Sequence, residues 1–336
     1  MLKSKFIFGK YTSIVFLLVC FCFIIASKNA MALTLSPVRT ELNGDPGRTI
    51  TSQIKVVNST ASSKTYFTNV YTFEAGDENG NPVFRIAKTG LASWINVNEV
   101  TTLGPYESKL VPFTVVIPKD SEPGGYFASV FFSEIPPKHT EEGLVSVDSE
   151  LGELVLLRVN GDFKEGADIL EFDTVTHKRV FSSLPIAFYY RFQNSGQSWV
   201  KPLGDIIIKN IFGRTSAVLM ANKKEGNVLP QSIRRFESTW GEAIGAKPSG
   251  FWKTVWFQVR NFAFGPYKAQ LNLAYGSQAL QSATASFNVW VFPWQLLLVL
   301  LGAGILLFFI FGKSIGRYNR WIISRAMPVP KRRSKK

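Results

Sequence analysis

Between residues 33 and 289, apolar positions alternate with polar ones over short segments that turn residues separate. In the segment 186–192 apolar side chains occupy every second position, and the segment 50–56 alternates in a similar way. A period of two is typical of strands with one buried face. No stretch of this region keeps the three- and four-residue spacing of an amphipathic helix. The pattern therefore predicts an all-β region.

The predicted strands are short, regular and bounded by Gly, Pro, Asn and Asp. They are 50–56, 66–73, 83–87, 94–97, 110–117, 126–133 and 154–159, then 169–175, 186–192, 206–211, 216–220, 233–240, 252–259, 267–274 and 283–291. Such strands favour immunoglobulin-like antiparallel β-sandwiches. Because roughly 250 residues exceed what one core usually organises, we expect two tandem sandwiches, 33–162 and 163–289. The acidic segment 135–150 is expected to be an exposed, hairpin-like excursion.

The two predicted sandwiches share landmarks in the same order. Asn58 and Asn194 each end an early strand, and the proline-containing turns 103–105 and 228–230 each open a later one. A Gly/Pro corner then leads into a late strand in both halves. Similar offsets between these landmarks favour tandem duplication of one fold. The alternative is chance similarity between turn-rich β sequences.

Each late strand begins with a tyrosine directly after its Gly/Pro corner, Tyr126 in the first half and Tyr267 in the second. In immunoglobulin-like sandwiches a tyrosine at this place forms a tyrosine corner, in which its hydroxyl bonds to loop backbone. We therefore expect Tyr126 and Tyr267 to be structural tyrosine corners.

The first 32 residues have the organisation of a signal peptide. A basic start precedes an unbroken apolar run over 14–26, and Ala-Met-Ala at 30–32 matches the cleavage pattern, which places the mature start near Leu33. An uncleaved anchor is the alternative, but the run is shorter than the roughly 20 residues that span a bilayer. A lipoprotein is rejected because no small residue precedes Cys20.

Residues 290–312 are predicted to form one transmembrane helix, since Gln295 is the only polar side chain between Trp294 and Phe311. The tail 313–336 is basic and lacks acidic residues, so the positive-inside rule places it in the cytoplasm and the sandwiches outside. Aromatic residues stand where membrane-interface belts are found: Trp290, Trp294, Tyr318 and Trp321.

The net charge of +14 does not indicate a nucleic-acid partner. The excess lies in the signal peptide and the tail, and the remaining chain is nearly neutral, so orientation in the membrane and contact with membrane lipid explain it. The chain has two cysteines. Both, Cys20 and Cys22, lie in the predicted signal peptide, which excludes disulfides and a cysteine nucleophile in the mature protein.

The sequence predicts no enzyme, no cofactor and no metal site. His139 and His177, the two histidines, lack the spacing of a metal motif, and no G-x-S-x-G elbow or phosphate-binding loop is present. The segment 77–81 resembles a calcium loop only weakly, and a polar hairpin tip is the favoured interpretation. A hydrolase built around a histidine and carboxylates is left as a third alternative.

One apolar segment is a candidate interaction surface. Read as a strand, 252–259 places Trp252, Thr254 and Trp256 on one face, where exposed aromatics would suit glycan stacking or protein contact. The alternative, which is favoured, is packing in the core.

The architecture resembles bacterial WxL-interacting surface proteins. The resemblance rests on Leu-Ser-Pro at 35–37, Trp-Ile at 94–95, Leu-Gly-Pro at 103–105, Ile-Pro-Lys at 117–119 and Pro-Gly-Gly-Tyr-Phe at 123–127. It implies a first domain associated with peptidoglycan and a second associated with host or matrix binding. No binding residue carries over, because the matching positions look structural.

These observations predict a non-enzymatic, membrane-anchored cell-surface adhesion or scaffold protein that binds cell-wall polymer or another surface protein. A loop or an open sheet edge would supply the contact. The alternative is a membrane-bound chaperone or an accessory subunit of a secretion or pilus-like system. The ligand, the oligomeric state and the presence of an outer membrane stay open.

Overall fold

The computed structural model describes residues 33–86, 89–136, 143–144, 150–241, 249–276 and 281–326. The predicted signal peptide, His139 and the last residues of the tail lie outside these ranges. The chain divides into two compact units. The first comprises residues up to Glu74 and Pro82–Asp162, and the second comprises Ala75–Asn81 with everything from Phe163 onward.

The first unit is a β-sandwich with one short helix. Its elements are β1 Leu33–Ser36, β2 Arg39–Gly44, β3 Thr49–Asn58, β4 Lys64–Ala75, β5 Pro82–Ile86, α1 Leu91–Trp94, β6 Ile95–Val97, β7 Val100–Leu103, β8 Ser108–Val116, β9 Gly124–Ser133, β10 Gly143–Leu144 and β11 Leu151–Val159. One sheet has the order β1-β3-β8-β6, and the other has the order β10-β5-β4-β9-β11-β2, with β7 also paired to β4.

The core of the first unit comes from alternate positions of the facing sheets, as a period of two requires. Representative buried residues are Ile54, Val56, Phe113, Val130 and Leu157. The first two strands, β1 and β2, belong to different sheets. β1 pairs antiparallel with β3, whereas β2 pairs parallel with β11, from Arg39 opposite Leu154 to Gly44 opposite Val159.

The segment 135–150 is described only in part. Its strand β10 pairs antiparallel with β5, with Gly143 opposite Ile86 and Leu144 opposite Arg85. This part of the expected excursion is therefore an added edge strand. The remainder, 137–142 and 145–149, lies outside the described residues.

The second unit is a second β-sandwich followed by a long helix. Its elements are β12 Ala167–Thr174, β13 Val180–Phe181, β14 Ile186–Asn194, β15 Leu203–Asn210, β16 Thr215–Met220, β17 Ser232–Trp240, α2 Phe251–Arg260, β18 Gly265–Tyr275, β19 Gln281–Val291 and α3 Trp294–Ala326. The sheets have the orders β12-β14-β17 and β13-β19-β18-β15-β16. Aromatic side chains dominate its core, with Phe188, Tyr190 and Phe192 fully buried.

The all-β fold with two immunoglobulin-like sandwiches and one C-terminal apolar helix is confirmed. Two pairings, β2 with β11 and β13 with β19, are parallel within otherwise antiparallel sheets. The prediction of strand 252–259 was wrong, because Phe251–Arg260 is the helix α2. The aromatic residues there satisfy both periods, since Trp252 and Trp256 stand two positions from Thr254 and also one helical turn apart.

The two asparagines that the sequence pairs, Asn58 and Asn194, occupy equivalent corners. Each carboxamide is fully buried, and its NH₂ group donates to the carbonyl oxygen four residues onward, at 2.7 Å to Ser62 and 2.8 Å to Ser198. Each also donates to the carbonyl of a distant turn, Gly104 at 2.8 Å or Val228 at 2.9 Å. The same corner therefore closes both sandwiches, which agrees with a repeated fold.

The helix α3 differs in its limits from the predicted 290–312. Trp290 and Val291 belong to β19, the helix begins at Trp294, and it continues to Ala326 through much of the segment expected as tail. The stretch Trp294–Ile323 is long and apolar enough to cross a membrane, judged by length and composition. Tyr318 and Trp321 lie on this helix with stacked rings, 6.0 Å between centroids.

Candidate functional site

The edge strand β16 is the candidate site for binding another polypeptide. Its six residues are Thr-Ser-Ala-Val-Leu-Met, without charge or proline. β15 pairs with one side of it, with Asp205 opposite Met220 and Ile207 opposite Val218, and outside this ladder the Ser238 hydroxyl of β17 donates to the Met220 carbonyl at 2.7 Å. An edge strand exposes unpaired backbone groups that can accept a further strand, and charged residues or proline are the usual protection.

The outward face of β16 is apolar. Val218 is 57% exposed and Met220 is 62% exposed, whereas Ala217 and Leu219 turn inward and pack against the core. Leu203 on the neighbouring strand β15 is also exposed. Apolar side chains in this position add contact area to any strand that pairs along the edge.

Other long edges of the second unit carry protection that β16 lacks. β12 contains three acidic residues and a register shift between Ile169 and Glu171, and β17 contains Arg234, Arg235 and Glu237. β19 is uncharged, but its exposed positions are Ser, Thr and Asn before Trp290. In the first unit the edge strands β1 and β6 of one sheet have four and three residues, and the six-residue edge strand β2 of the other sheet carries Arg39 and Glu41.

The predicted surface of Trp252, Thr254 and Trp256 lies on α2 and does not form one strand face. Trp252 is 70% exposed and Trp256 is 62% exposed, while Thr254 is half-buried and its hydroxyl donates to the Gly250 carbonyl. The favoured alternative of core packing was therefore wrong for both tryptophans.

The interior side of α2 contacts the start of α3. The Gln258 side chain is 1% exposed, and its NH₂ group donates to Gln295 Oε1 at 2.6 Å. Its own Oε1 accepts from the backbone N–H of Leu296 at 2.9 Å. Gln295, the polar residue at the edge of the apolar segment, thus has a buried glutamine as partner. The sequence offered no signal for this pairing, because 37 residues separate the two side chains.

Both predicted corner tyrosines bond to loop backbone. The Tyr126 hydroxyl donates to the Glu122 carbonyl at 2.9 Å, and its ring lies 4.6 Å from that of Trp94. The Tyr267 hydroxyl accepts from the backbone N–H of Phe264 at 3.2 Å. These contacts hold the corner that precedes each late strand.

Replacing Tyr126 by phenylalanine is expected to lower the free energy of unfolding of the first unit by about 1 kcal/mol, since it removes one hydrogen bond and keeps the ring. Amide hydrogen exchange of β9 in the full chain measures the loss. Tyr106→Phe, at a residue that is 70% exposed, is the control. Equal protection in both variants would contradict a structural role for the hydroxyl.

One buried and one half-buried carboxyl group lie in the first sandwich, Glu153 and Glu150. Glu153 is 0% exposed, and neither of its oxygens has a hydrogen-bond partner of good geometry among the described residues, although the Thr40 hydroxyl lies nearby. Burial raises its pKa to about 7, an effect that the Thr40 hydroxyl partly offsets. Burial also raises the pKa of Glu150, although this carboxyl accepts from Asn69 and from the Tyr71 hydroxyl. The sequence analysis did not predict either environment, because Glu153 precedes the predicted strand 154–159 and Glu150 ends the acidic segment 135–150 that was expected to be exposed.

The described residues contain no group of three His, Cys, Asp or Glu side chains placed to hold a metal ion. His177 is exposed and stands 3.6 Å from Asp173, in a turn with positive φ. In the segment 77–81 the Asp77 carboxylate accepts from the backbone N–H groups of Asn79 and Asn81, which is the bonding of a polar hairpin tip.

The fold places the chain among proteins with paired immunoglobulin-like sandwiches. No protein-family model matches it, and no curated protein matches it. Among solved structures it is similar to the class 5 fimbriae chaperone CfaA, with 12% identity, 76% of this chain and 98% of that chain covered, and a TM-score of 0.37. The E. coli chaperone DraB is 11% identical, with 77% of this chain and 96% of that chain covered and a TM-score of 0.33. A PapD-like domain of human CEP192 is 14% identical, with 41% of this chain and 91% of that chain covered and a TM-score of 0.27. These similarities concern the fold alone.

Proposed function

We propose that this chain is a membrane-anchored accessory protein or chaperone that binds a second extracytoplasmic polypeptide by strand addition at β16. The two sandwiches supply the binding module, α3 supplies the anchor, and the protein performs no catalysis itself. Of the two functions that the sequence suggests, this one corresponds to the alternative, an accessory subunit of a secretion or pilus-like system.

The observation that carries the proposal is the edge of β16, which has no charged residue, no proline and no second strand partner among the described strands. Its length, its lack of charge and its exposed Val218 and Met220 match what a pairing strand needs. A soluble protein that left such an edge open without use would risk association with other chains. A polypeptide client is therefore favoured over a polysaccharide, which cannot continue a backbone hydrogen-bond ladder.

The anchor is proposed on the apolar length of α3 and on the distribution of charge around it. The helix has no acidic residue, and basic residues follow its apolar part from Lys313 onward. This distribution supports a cytoplasmic C-terminus and extracytoplasmic sandwiches. Binding to cell-wall polymer, which the resemblance to WxL-interacting proteins implies, stays a prediction.

The decisive variant replaces Val218 and Met220 by lysine in the full-length chain. Two added charges at the edge oppose pairing, so we expect recovery of the bound polypeptide to fall about tenfold, an affinity loss of about 1.4 kcal/mol. Recovery is measured by affinity isolation of the tagged chain after chemical crosslinking in intact cells. Amide hydrogen exchange of the isolated complex should show β16 protected relative to the free chain.

The matched control places lysine at Thr284 and Ser286, exposed positions of β19 in the same sheet. This variant should keep the partner. Equal recovery by both lysine pairs would contradict binding at β16. A parallel sedimentation assay with insoluble peptidoglycan tests the rival function, binding to cell-wall polymer. Equal retention of the unmodified chain and the β16 lysine variant would favour that function.

A further inference from the structure

The helix α2 has an exposed apolar face next to its buried one. Trp252, Trp256 and Val259 follow each other at spacings of four and three residues, so they share one side of the helix. They are 70%, 62% and 48% exposed. Lys253 and Arg260 lie beyond this face, and the Arg260 guanidinium stands 5.8 Å from the Trp256 ring. Tryptophan bordered by basic residues is typical of helices that lie in a membrane interface.

The position of α2 relative to α3 is held by specific contacts. Gln258 bonds to both Gln295 and the backbone of Leu296, in the first turn of α3. The Phe251 and Trp294 rings meet near the same point, with centroids 6.3 Å apart. The exposed face of α2 therefore lies at the level where the apolar helix begins.

Further exposed apolar residues collect at this end of the five-stranded sheet. Gly265 pairs with Val291 and Asn210 pairs with Tyr267, so the starts of β18 and α3 and the turn after β15 share one end. That turn presents Phe212, which is 83% exposed, while Asn210 Oδ1 accepts from the backbone N–H groups of Phe212 and Arg214. The other exposed members of this apolar end are Ile211, Phe262, Phe264 and Phe292.

We propose that α2 lies in the membrane interface on the sandwich side of the bilayer, with Trp252, Trp256 and Val259 among the lipid headgroups and upper acyl chains. The turn at Phe212 touches the same surface. The inference rests on the proposed membrane anchoring by α3 and adds a second, non-spanning contact to it. This contact sets the second sandwich upright on the membrane at a fixed height.

Lipid is the occupant because the exposed face continues directly into a helix that has the length and composition of a membrane span. A helix of 33 residues that starts beside α2 brings any bilayer it crosses to the level of Trp294. Exposed tryptophan at that level gains from both the apolar and the polar part of the interface. The basic side of α2 suits anionic headgroups.

The test reconstitutes the full chain, with Cys20 and Cys22 replaced by serine, in vesicles of equal parts phosphatidylcholine and phosphatidylglycerol. In separate variants a single cysteine replaces Trp256, Val259 or Phe212, and each cysteine carries a nitroxide spin label. A label at Leu301→Cys, in the apolar helix, is the reference for a position within the bilayer. A label at Lys224→Cys, past the opposite end of β16, is the reference for a position in water. Paramagnetic resonance then compares collisions with oxygen, which enters lipid, and with a charged nickel complex, which does not.

We expect labels at 256 and 259 to show about threefold fewer nickel collisions than the label at 224, since ions are excluded from apolar surroundings. Oxygen collisions should stay high, and Lys253→Cys should be more open to nickel than either. The Val259→Cys variant retains both tryptophans, so its result stands even if the Trp256→Cys variant folds incorrectly near α2.

Nickel access at 256 and 259 equal to that at 224, with Leu301 in lipid, would overturn the interfacial helix and leave the anchor standing. Shielding from both reagents would also overturn it, because it indicates a protein contact instead of lipid. A water-exposed label at 301 would instead overturn the anchoring itself.

Discussion

Replacing Asn194 by alanine is expected to lower the free energy of unfolding of the second unit by about 3 kcal/mol, the largest single-residue effect that we foresee. The Asn194 carboxamide is buried and makes three hydrogen bonds to backbone, at 2.8 Å to Ser198, 2.9 Å to Val228 and 2.8 Å from Gly196. Alanine removes all three and leaves backbone groups in a site with few other partners, which costs more than the bonds themselves contribute.

Amide hydrogen exchange of β14 and β17 in the full chain measures this change. Asn288→Ala is the matched control, because Asn288 is exposed on β19 in the same unit. Asn58→Ala should act similarly on β3 and β8, in keeping with its equivalent corner. An effect of Asn194→Ala no larger than that of Asn288→Ala would show that the corner closes without the carboxamide.

The stability of the first unit is expected to fall as the pH rises from about 5 to about 8, and Glu153 is the cause. Burial raises the pKa of this carboxyl from 4.5 in the unfolded chain to about 7. Between these values the folded state keeps a proton that the unfolded state has lost, so each step up in pH favours unfolding. The full difference amounts to about 3 kcal/mol and is complete above the folded-state pKa.

Glu153→Gln should remove most of this pH dependence, because glutamine stays neutral throughout. The measurement is the opening free energy of β9 and β11 from amide hydrogen exchange at both pH values, corrected for the intrinsic exchange rates. Glu99→Gln, at an exposed residue, should leave the slope unchanged. A slope that persists in Glu153→Gln would assign the pH dependence to another group, with Glu150 the next to test.

Much of the fold follows from the period of two in the apolar positions. The predicted strands 267–274 and 283–291 fall within β18 Gly265–Tyr275 and β19 Gln281–Val291, because in each the more buried positions alternate with the more exposed ones. A strand as short as β13, with two residues, cannot show an alternation of apolar and polar positions. Its existence depends on a neighbour far along the chain, here Val291 of β19, and no local signal reports it.

The error at α2 has a specific physical origin. Phe251, Trp252, Val255 and Trp256 fit a strand with two apolar faces and also fit a helix with adjacent apolar faces. In the helix, Gln258 is buried against the start of α3, a contact that a single-sequence pattern does not reveal. On a helix beside α3, the two tryptophans are placed for the lipid contact proposed above and not for the glycan or protein contact expected of a strand face.

The parallel pairing of β2 with β11 has a consequence for how the protein is made. Residues 39–44 are synthesised early, yet their partners at 154–159 follow more than a hundred positions later, as the Asn160 to Asp45 bond with its separation of 115 shows. The first sandwich therefore cannot close early in synthesis, and β2 stays unpaired with β11 until nearly the whole domain has been made. A delay of this kind exposes apolar strand to neighbouring chains. The time between the synthesis of β2 and that of β11 is therefore the interval in which the first sandwich is open to misassembly.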